Sequence, residues 1–448
     1  MSTQLSKRAL LSKGALSAGA GLGALGLFAQ RTSADTPFTT FAFPATGAPT
    51  PRTMPDRLAE TVNVKDFGAI GNGGTDDTAT IQAAFNAAFG PPSNPHGAAN
   101  CHLNRPVYFP RGEYKVNELY LTSVVGGRIY GDGFYASVLT GYGNSDLLSI
   151  NGMSHSSFEQ LGFFVGGNPA PNGYSAVDLN WDGVDTLVGL SDVTFFDCLV
   201  DQGNYGIRIA RQNHGGRSIS VIHVGFGSWV GCCIEGDECT VNSLTSTGVS
   251  RRYTFWVKKG TLTCNLQASA MPGGRSTVTG YYDIKHDSDR MTTVYGGRSE
   301  SEAAFEVTNG TLVAIAFDSA QPVLNGPGAH VVRPGTLVMQ ECRMDSASNS
   351  AGGFLTGDGN VFLKGVYFQT NHPLYLSNFT GKVWQCETSS FFTYSQIAAL
   401  AAAGQAGEGL LLNVSDSNTN TWGAAITGTG AYRVQTRWNG SAWTVVAI

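Results

Sequence analysis

Short runs of alternating apolar and polar residues recur along this chain at intervals of roughly two dozen residues. Their first apolar positions are separated by 21, 32, 18, 25, 24 and 22 residues, in the series Val241, Leu262, Val294, Leu312, Leu337, Val361 and Val383. Phe158, Val193 and Ile219 extend the series towards the N-terminus. Each run is too short to bury its own apolar side chains, so neighbouring runs must stack and share one core. The repeat predicts a parallel β-helix. A propeller would need repeats of roughly 40–50 residues, and the Leu-x-x-Leu-x-Leu pattern of leucine-rich repeats is missing.

The composition agrees with an all-β chain. Gly makes up 58 of 448 residues, about twice the usual ~7%, and only 14% of residues are charged. A hydrophobic content of 42% is ample for a core and excludes general disorder. No stretch reaches the roughly 20 unbroken apolar residues of a membrane span. The net charge of −5 gives no reason to expect a nucleic-acid partner.

The N-terminus has the pattern of an export signal. Lys7 and Arg8 precede a run of small and apolar residues, and Ser33 and Ala34 supply the small side chains of a cleavage site. We predict a signal peptide over residues 1–34, of the twin-arginine or the Sec type, and a secreted or periplasmic protein. Its removal would change the net charge from −5 to −9, since four cations and no acid are lost. We then expect a linker over 35–60, a β-helix over 61–395, and a C-terminal Ala-rich helix with a Trp-rich β tail over 396–448.

The eight cysteines leave two interpretations open. Export permits disulfides, and an even count fits them. Several cysteines, such as Cys264 and Cys342, lie inside apolar runs, where buried thiols fit equally well. There is no CxxC motif and no recognisable metal-binding loop, so we predict no metal and no cofactor, with Ca²⁺ left open.

One segment resembles a known family. Residues 62–88, VNVKDFGAIGNGGTDDTATIQAAFNAA, and 105–116, RPVYFPRGEYKV, resemble the N-terminal segment of the pectate lyase superfamily. The similar branch contains rhamnogalacturonase-like and epimerase-like domains and single-stranded tailspike-like proteins. The resemblance implies a right-handed parallel β-helix with an N-terminal capping helix, action on carbohydrate, and, by analogy with tailspikes, a homotrimer.

The resembling segment is architectural and does not identify a reaction. Asp76 and Asp77 are adjacent carboxylates, but their place at a predicted helix start favours capping over catalysis. The catalytic blocks of polygalacturonases and the Asp-Pro-His block of alginate epimerases are absent from the expected region. The reaction must therefore be argued from other residues.

Charge is distributed unevenly along the chain. Residues 201–300 contain eleven Lys and Arg and eight Asp and Glu, a net charge of +3 within an exported chain of −9. A basic region in an acidic protein would concentrate an anionic polysaccharide. The alternative is that these charges are spread around the perimeter and are simply solvated.

Three functions remain open. The first, which we predict, is cleavage of an acidic polysaccharide by β-elimination; a polysaccharide lyase of this kind needs a base and cations that neutralise a uronate carboxylate, and cations are plentiful in residues 201–300. The second is hydrolysis, which needs two carboxylates about 5–10 Å apart. The third is glycan binding without chemistry, in a tailspike-like surface protein. The candidate catalytic residues are Glu235, Asp237, His286, Arg298 and Glu300, and the candidate substrate-binding residues are Arg208, Arg211, His214, Arg217 and Arg290.

Overall fold

The structure is a computed structural model that describes residues 42–47, 49–165, 174–184, 188–212, 215–248, 250, 252–268, 282–299, 304–321, 328–346, 355–368, 378–387 and 391–448. The chain divides into two compact units, Met1–Glu60 and Thr61–Ile448. In the first unit, strands Ala42–Phe43 and Arg52–Thr53 pair antiparallel, and helix Met54–Leu58 follows. Arg52 forms ion pairs with Asp56 and Glu60.

The second unit is a parallel β-solenoid, which confirms the predicted fold class. The chain passes through three faces in each turn, which we name A, B and C in the order in which it reaches them. Strands on one face pair in parallel with the strands of the turns before and after. Each turn is hydrogen-bonded to the turns on either side of it. The short runs seen in the sequence therefore bury their apolar side chains in one continuous core.

The strands fall into three stacks, and four long strands bend from one face to the next. Face A contains Val62–Asn63, Val107–Phe109, Arg128–Gly131, the end of Leu148–Glu159, Leu190–Phe196, Ile219–Ile222, the starts of Thr240–Gly248, Thr261–Ala268 and Met291–Ser299, and then Thr311–Ile315, Thr336–Gln340, Asn360–Lys364 and Lys382–Glu387. Face B contains Asn72–Asp76, Gly112–Val116, Ser137–Gly141, Gly162–Val165, Leu199–Gln202, Gly225–Phe226, the ends of Thr240–Gly248, Thr261–Ala268 and Met291–Ser299, and then Asp318–Gln321, Arg343–Ser346 and Tyr367–Phe368. Face C contains Leu119–Val125, the start of Leu148–Glu159, Ser175–Asn180, Tyr205–Ile209, Val230–Ile234, Tyr253–Val257, Ile284–His286, Phe305–Val307, Ala329–Val331, Leu355–Gly357 and Asn378–Phe379.

The predicted series of rung positions is correct for most turns and off by two residues at two of them. Leu312, Leu337 and Val361 are paired in register, as the spacing predicts. Leu262, however, pairs with Thr292, not with Val294. Thr292 is fully buried and its hydroxyl contacts the ring of His286 at 3.0 Å, so a polar pair replaces the expected apolar position. Likewise Phe158 pairs with Phe195, two residues beyond Val193. A shift of two keeps the same residues inside, which is why the core prediction survives it.

The corner between faces A and B has the same geometry in five turns from Gln160 onward. Two residues connect the strands, and the first of them adopts a left-handed backbone with φ between 50° and 55° in Gln160, Asp197, His223, Ala316 and Glu341. The backbone N–H of Asp197 donates to the carbonyl of Ile222 in the next turn at 3.0 Å, and that of His223 donates to Leu244 in the same way. The second connecting residue is buried, as in Cys198. Backbone hydrogen bonds therefore link each of these corners to the corner of the next turn.

Helix Thr78–Phe89 stands in the first turn at the place in chain order where later turns have a face C strand. Its Gln82 side chain donates to the carbonyl of Tyr120 at 3.0 Å and accepts from the Tyr120 N–H at 2.9 Å. The helix thus covers an edge strand whose backbone groups would otherwise be unpaired. Asp76 caps the helix by accepting from the Thr78 N–H, and the buried Asp77 accepts from the N–H groups of the preceding turn. The structural interpretation of this acidic pair is confirmed.

The C-terminal region forms a four-stranded sheet beside a short helix. Phe391–Phe392 pairs in parallel with Leu411–Ser417, which pairs antiparallel with Tyr432–Trp438, and this strand pairs with Trp443–Ala447. Helix Tyr394–Ala402 begins with a capping box at Thr393. Trp443 is buried and its indole N–H donates to the helix at the carbonyl of Ile397, whereas Trp422 is 77% exposed. Among the described residues, no helix is long and apolar enough to cross a membrane.

The cysteines that the structure describes are free thiols, and most are buried. Cys232, for example, lies inside the solenoid in register with Ile207 and Phe255. Cys101 is the one of intermediate exposure within the described ranges. For this part of the chain, the buried-thiol interpretation is the correct one.

Candidate active site on face C

The outer surface of face C carries a column of polar and aromatic side chains. Within strand Ser175–Asn180, Val177 and Leu179 belong to the core, and the intervening Asp178 lies on the outer side. Parallel pairing places later residues in register with it, one strand spacing of about 4.8 Å apart. The column consists of Asp178, Arg208, Cys233, Trp256, Lys285, Glu306 and His330.

Two carboxylates meet at the start of this column. Asp146 lies just before strand Leu148–Glu159, and its Oδ1 accepts a hydrogen bond from the Ser175 N–H at 2.5 Å. Arg211 Nη1 lies 3.7 Å from Asp146 Oδ2 and 3.5 Å from Asp178 Oδ2. Because both oxygens contact the same nitrogen atom, they are at most about 7 Å apart, and the roughly 5–5.5 Å separation of the two carboxyl groups in retaining glycosidases lies within this limit.

Asp178 is the unusual member of this pair. Its side chain is only 10% exposed, and Oδ1 has no hydrogen-bond partner in the described part of the chain. Burial raises the pKa of the carboxyl group, and the neighbouring Asp146 raises it further. The guanidinium groups of Arg211 and Arg208 oppose this rise, and the pKa settles at about 6. A carboxyl group of this pKa is partly protonated near neutral pH and can act as a general acid.

Glu235 lies one turn further along, between two cations. Its Oε2 accepts from Arg208 Nε at 2.8 Å, and its Oε1 accepts from Lys258 Nζ at 2.5 Å. Burial raises the pKa of this carboxyl group, but the hydrogen bonds and charges of Arg208 and Lys258 outweigh burial and hold the pKa below its usual value. Glu235 is therefore ionised and engaged, and its first role is to hold Arg208 beside Asp178.

An aromatic and charged surface continues the face beyond this network. The Arg208 guanidinium lies 4.8 Å from the centre of the Tyr205 ring, and Lys258 lies 4.1 Å from the centre of the Trp256 ring. In the next turns Lys285 pairs with Glu306 at 3.3 Å. Rings of this kind can pack against the apolar faces of sugars.

The structure gathers three of the ten sequence-predicted site residues on this face: Arg208, Arg211 and Glu235. It places three others at the corner between faces C and A, each near an opposite charge. These are Asp237 with Lys259 at 3.2 Å, Arg217 with Glu238 at 2.9 Å, and Arg290 with Asp289 at 4.0 Å. Arg298 is exposed on face B, in register with Gln267 and Asp318. His214 and Glu300 lie outside the described residues.

His286 lies inside the solenoid. It is in register with Val257 and Val307 and is fully buried. Burial lowers the pKa of the imidazole to about 4, so the ring is neutral at physiological pH. A polymer on the outer surface does not reach this position, and we leave His286 out of the proposed site.

Sequence reasoning missed both members of the carboxylate pair. Asp178 carried a detectable signal, because it interrupts an apolar run and stands 30 residues, or one turn, before Arg208. No comparable sequence signal marked Asp146, because it lies in a loop among Gly, Asn and Ser residues.

The basic excess of residues 201–300 is locally balanced at the site. Arg208, Arg211, Lys258 and Lys285 each contact at least one acidic side chain. Within the described ranges, no group of three or more His, Cys, Asp and Glu residues is arranged to hold a metal ion. The site is therefore an arrangement of carboxylates, guanidinium groups and aromatic rings.

Comparison with known proteins supports the family resemblance. Residues 61–168 match the family described as rhamnogalacturonase A/epimerase, pectate lyase-like. Mannuronan C5-epimerase AlgE3 of Azotobacter vinelandii is 51% identical over 55 residues, which are 12% of this chain and 2% of that protein. The chain thus matches only a small part of the length of its curated relatives.

Solved structures of similar shape are more distant. ORF18 of Geobacillus virus E2 has a TM-score of 0.47 at 15% identity, covering 88% of this chain and 77% of that one. Tailspike protein 2 of the Escherichia coli O157:H7 bacteriophage CAB120 has a TM-score of 0.45 at 13% identity, covering 80% of this chain and 44% of that one. Likenesses at this level give no argument about the reaction.

Proposed function

We propose that this protein, whose residues 61–168 match the rhamnogalacturonase A/epimerase family, hydrolyses glycosidic bonds of a polysaccharide at Asp146 and Asp178. The observation that carries the proposal is the pair itself: two carboxyl groups share the Nη1 atom of Arg211, and burial raises the pKa of one of them to about 6. A glycosidase needs one carboxyl group that is protonated and a second nearby.

The two residues take different roles in this reaction. Asp178 donates its proton to the glycosidic oxygen as the bond to the anomeric carbon breaks. Asp146 supplies the second carboxylate, which attacks the anomeric carbon or activates the water that does so. The side chain of Arg211 is 48% exposed, so substrate approaches the two buried carboxyl groups from its side. Its guanidinium group, in contact with both, orients them.

Elimination is the second candidate, and a specific observation favours it. Arg208 and Arg211 flank Asp178, so a uronate carboxylate could meet a guanidinium group while Asp178, once ionised, removes the neighbouring ring proton. This is the arrangement that cleavage of an acidic polysaccharide requires. We rank it second because the guanidinium groups of both arginines already contact acidic side chains.

One screen separates these chemistries. The purified protein is incubated with a panel of neutral and uronate-containing polysaccharides, and both reducing ends and ultraviolet absorbance are followed. New reducing ends without absorbance near 235 nm support hydrolysis, and new absorbance near 235 nm reports the unsaturated product of elimination. Retention on glycan with neither signal indicates a binding protein and contradicts the proposal.

Variants locate the reaction. Asp178→Asn and Asp146→Asn should each abolish activity, whereas Asp192→Asn, an exposed carboxylate on face A, should not alter it. The sequence-predicted Glu235, Arg298 and Glu300 are tested in the same assay as Gln or Ala variants. Full activity in Asp178→Asn, with loss in Arg298→Ala or Glu300→Ala, would move the site away from face C.

A further inference from the structure

A second cleft lies where the last turns of face A meet the C-terminal sheet. Its volume is about 600 Å³. The residues that matter for its chemistry are Phe362, Trp384, Glu408, Leu411, Gln435 and Arg437. None of them belongs to the carboxylate pair on face C or to its ion-pair network.

Two stacked aromatic rings, those of Phe362 and Trp384, line this cleft, and we call them the aromatic stack. Phe362 and Trp384 are paired in register on face A, and their neighbours in the strands, Val361 and Val383, point into the core. The two rings are stacked, with centres 5.0 Å apart and an angle of 15° between their planes. A Cβ atom at Gly407 would lie 2.7 Å from the indole of Trp384, so only glycine lets the ring take this position.

Polar side chains also line the cleft beside the aromatic stack. Gln435 and Arg437 are alternate residues of strand Tyr432–Trp438 and therefore lie on one side of the C-terminal sheet. Glu408 stands beside them in the lining. An amide, a guanidinium group and a carboxylate together provide both donors and acceptors for hydroxyl groups, and among the described residues of the lining the charges of Arg437 and Glu408 balance.

We infer that this cleft binds a neutral pyranose unit of a glycan chain. The sugar ring packs against the exposed side of the stack that Trp384 forms with Phe362, and its hydroxyl groups hydrogen-bond to Gln435, Arg437 and Glu408. Among the residues that the structure describes, Glu408 is the one carboxylate in the lining, so we assign the cleft a binding role and not a cleaving one. The inference extends the proposed function, because the cleft would hold the polymer whose bonds face C breaks.

The test measures binding directly. Cellohexaose, laminarihexaose, maltohexaose and mannohexaose are titrated separately into the full chain, and binding is followed by calorimetry. At least one should bind, and Trp384→Ala should weaken that binding about tenfold, which is the effect of losing one good stacking contact. Trp422→Ala removes an exposed tryptophan that does not line the cleft and should change nothing.

A second variant guards against misfolding. Gln435→Ala removes one side-chain amide and should weaken binding severalfold with an unchanged melting temperature. Absence of binding to all four probes, or full binding by both Trp384→Ala and Gln435→Ala, would overturn the inference.

The inference and the proposed function can fail separately. Asp178→Asn should abolish cleavage and leave hexasaccharide binding intact. A protein that binds through Trp384 but cleaves nothing would refute the proposed function alone. A protein that cleaves through Asp178 while Trp384→Ala binds normally would refute this inference alone.

Discussion

Replacing Asp178 by Asn should stabilise the protein at neutral pH while it destroys activity. The folded state raises the pKa of Asp178 from 3.8 to about 6, first because the carboxyl is buried and second because Asp146 lies nearby. The folded protein therefore binds this proton more tightly than the unfolded chain does. The contribution of Asp178 to stability is therefore greatest below about pH 4, is lost as the pH rises from about 4 to 6, and stays low above 6.

The size of the effect follows from the shift. About two pKa units at about 1.4 kcal/mol each give roughly 3 kcal/mol of destabilisation at pH 8 that the neutral amide avoids. This figure already includes the attraction of Arg211, because that guanidinium group lowers the pKa of Asp178 and the value of about 6 contains its effect. We therefore expect Asp178→Asn to be more stable than the wild type by about 1–3 kcal/mol at pH 8.

The assay is urea denaturation of both proteins at pH 4 and pH 8. The difference in unfolding free energy should be present at pH 8 and nearly absent at pH 4. Asp192→Asn serves as a control that removes an exposed carboxylate, and it should not raise the unfolding free energy at pH 8. A variant that is equally stable or less stable than the wild type at pH 8 would refute the assignment of a raised pKa to Asp178, and with it the role of general acid.

Four further predictions concern other parts of the chain. Glu235→Gln should lower the unfolding free energy by about 2–4 kcal/mol, because two partly buried cations, Arg208 and Lys258, lose their partner. Asp237→Asn, at an exposed ion pair, should lower it by less than about 1 kcal/mol, and urea denaturation measures both changes. Ellman's reagent, followed by peptide mapping, should modify Cys101 in the native protein and reach the other described cysteines only after unfolding. Light scattering should give the mass of a trimer, and a monomer mass would contradict this. N-terminal sequencing of the protein made by its host should begin near residue 35, and an intact Met1 on protein found in the cytosol would contradict export.

The fold was accessible from the sequence because its signal is repeated. Each turn presents apolar residues to one core, so an error in one turn, as at Val294, is corrected by its neighbours. The orientation of single residues in very short strands was not accessible. Ile284–His286 has only three residues, too few for alternation to show that Lys285 faces outward and His286 inward.

The site could be found only in part for a related reason. Arg208, Arg211 and Glu235 were identified because they lie in the basic region, close together in sequence. Asp146 reaches the same place from a turn more than 60 residues earlier than Arg211. The loop residue that comes to lie beside Asp178 depends on how many residues connect one strand to the next, and in this chain that number varies.

That variation is smallest at the corner between faces A and B. After the first turns, where this connection has eight residues at 64–71 and five at 132–136, it is two residues long at 160–161, 197–198, 223–224, 316–317 and 341–342. Over the same later turns, the fully described connections that leave face C, such as 235–239, 258–260 and 358–359, have five, three and two residues. An insertion at one of the two-residue corners would displace a left-handed residue and the backbone hydrogen bond that it donates to the next turn. An insertion in a connection beside face C leaves those hydrogen bonds in place. Loop changes beside face C would therefore alter the surface around the proposed site while the hydrogen bonds that link successive turns are kept.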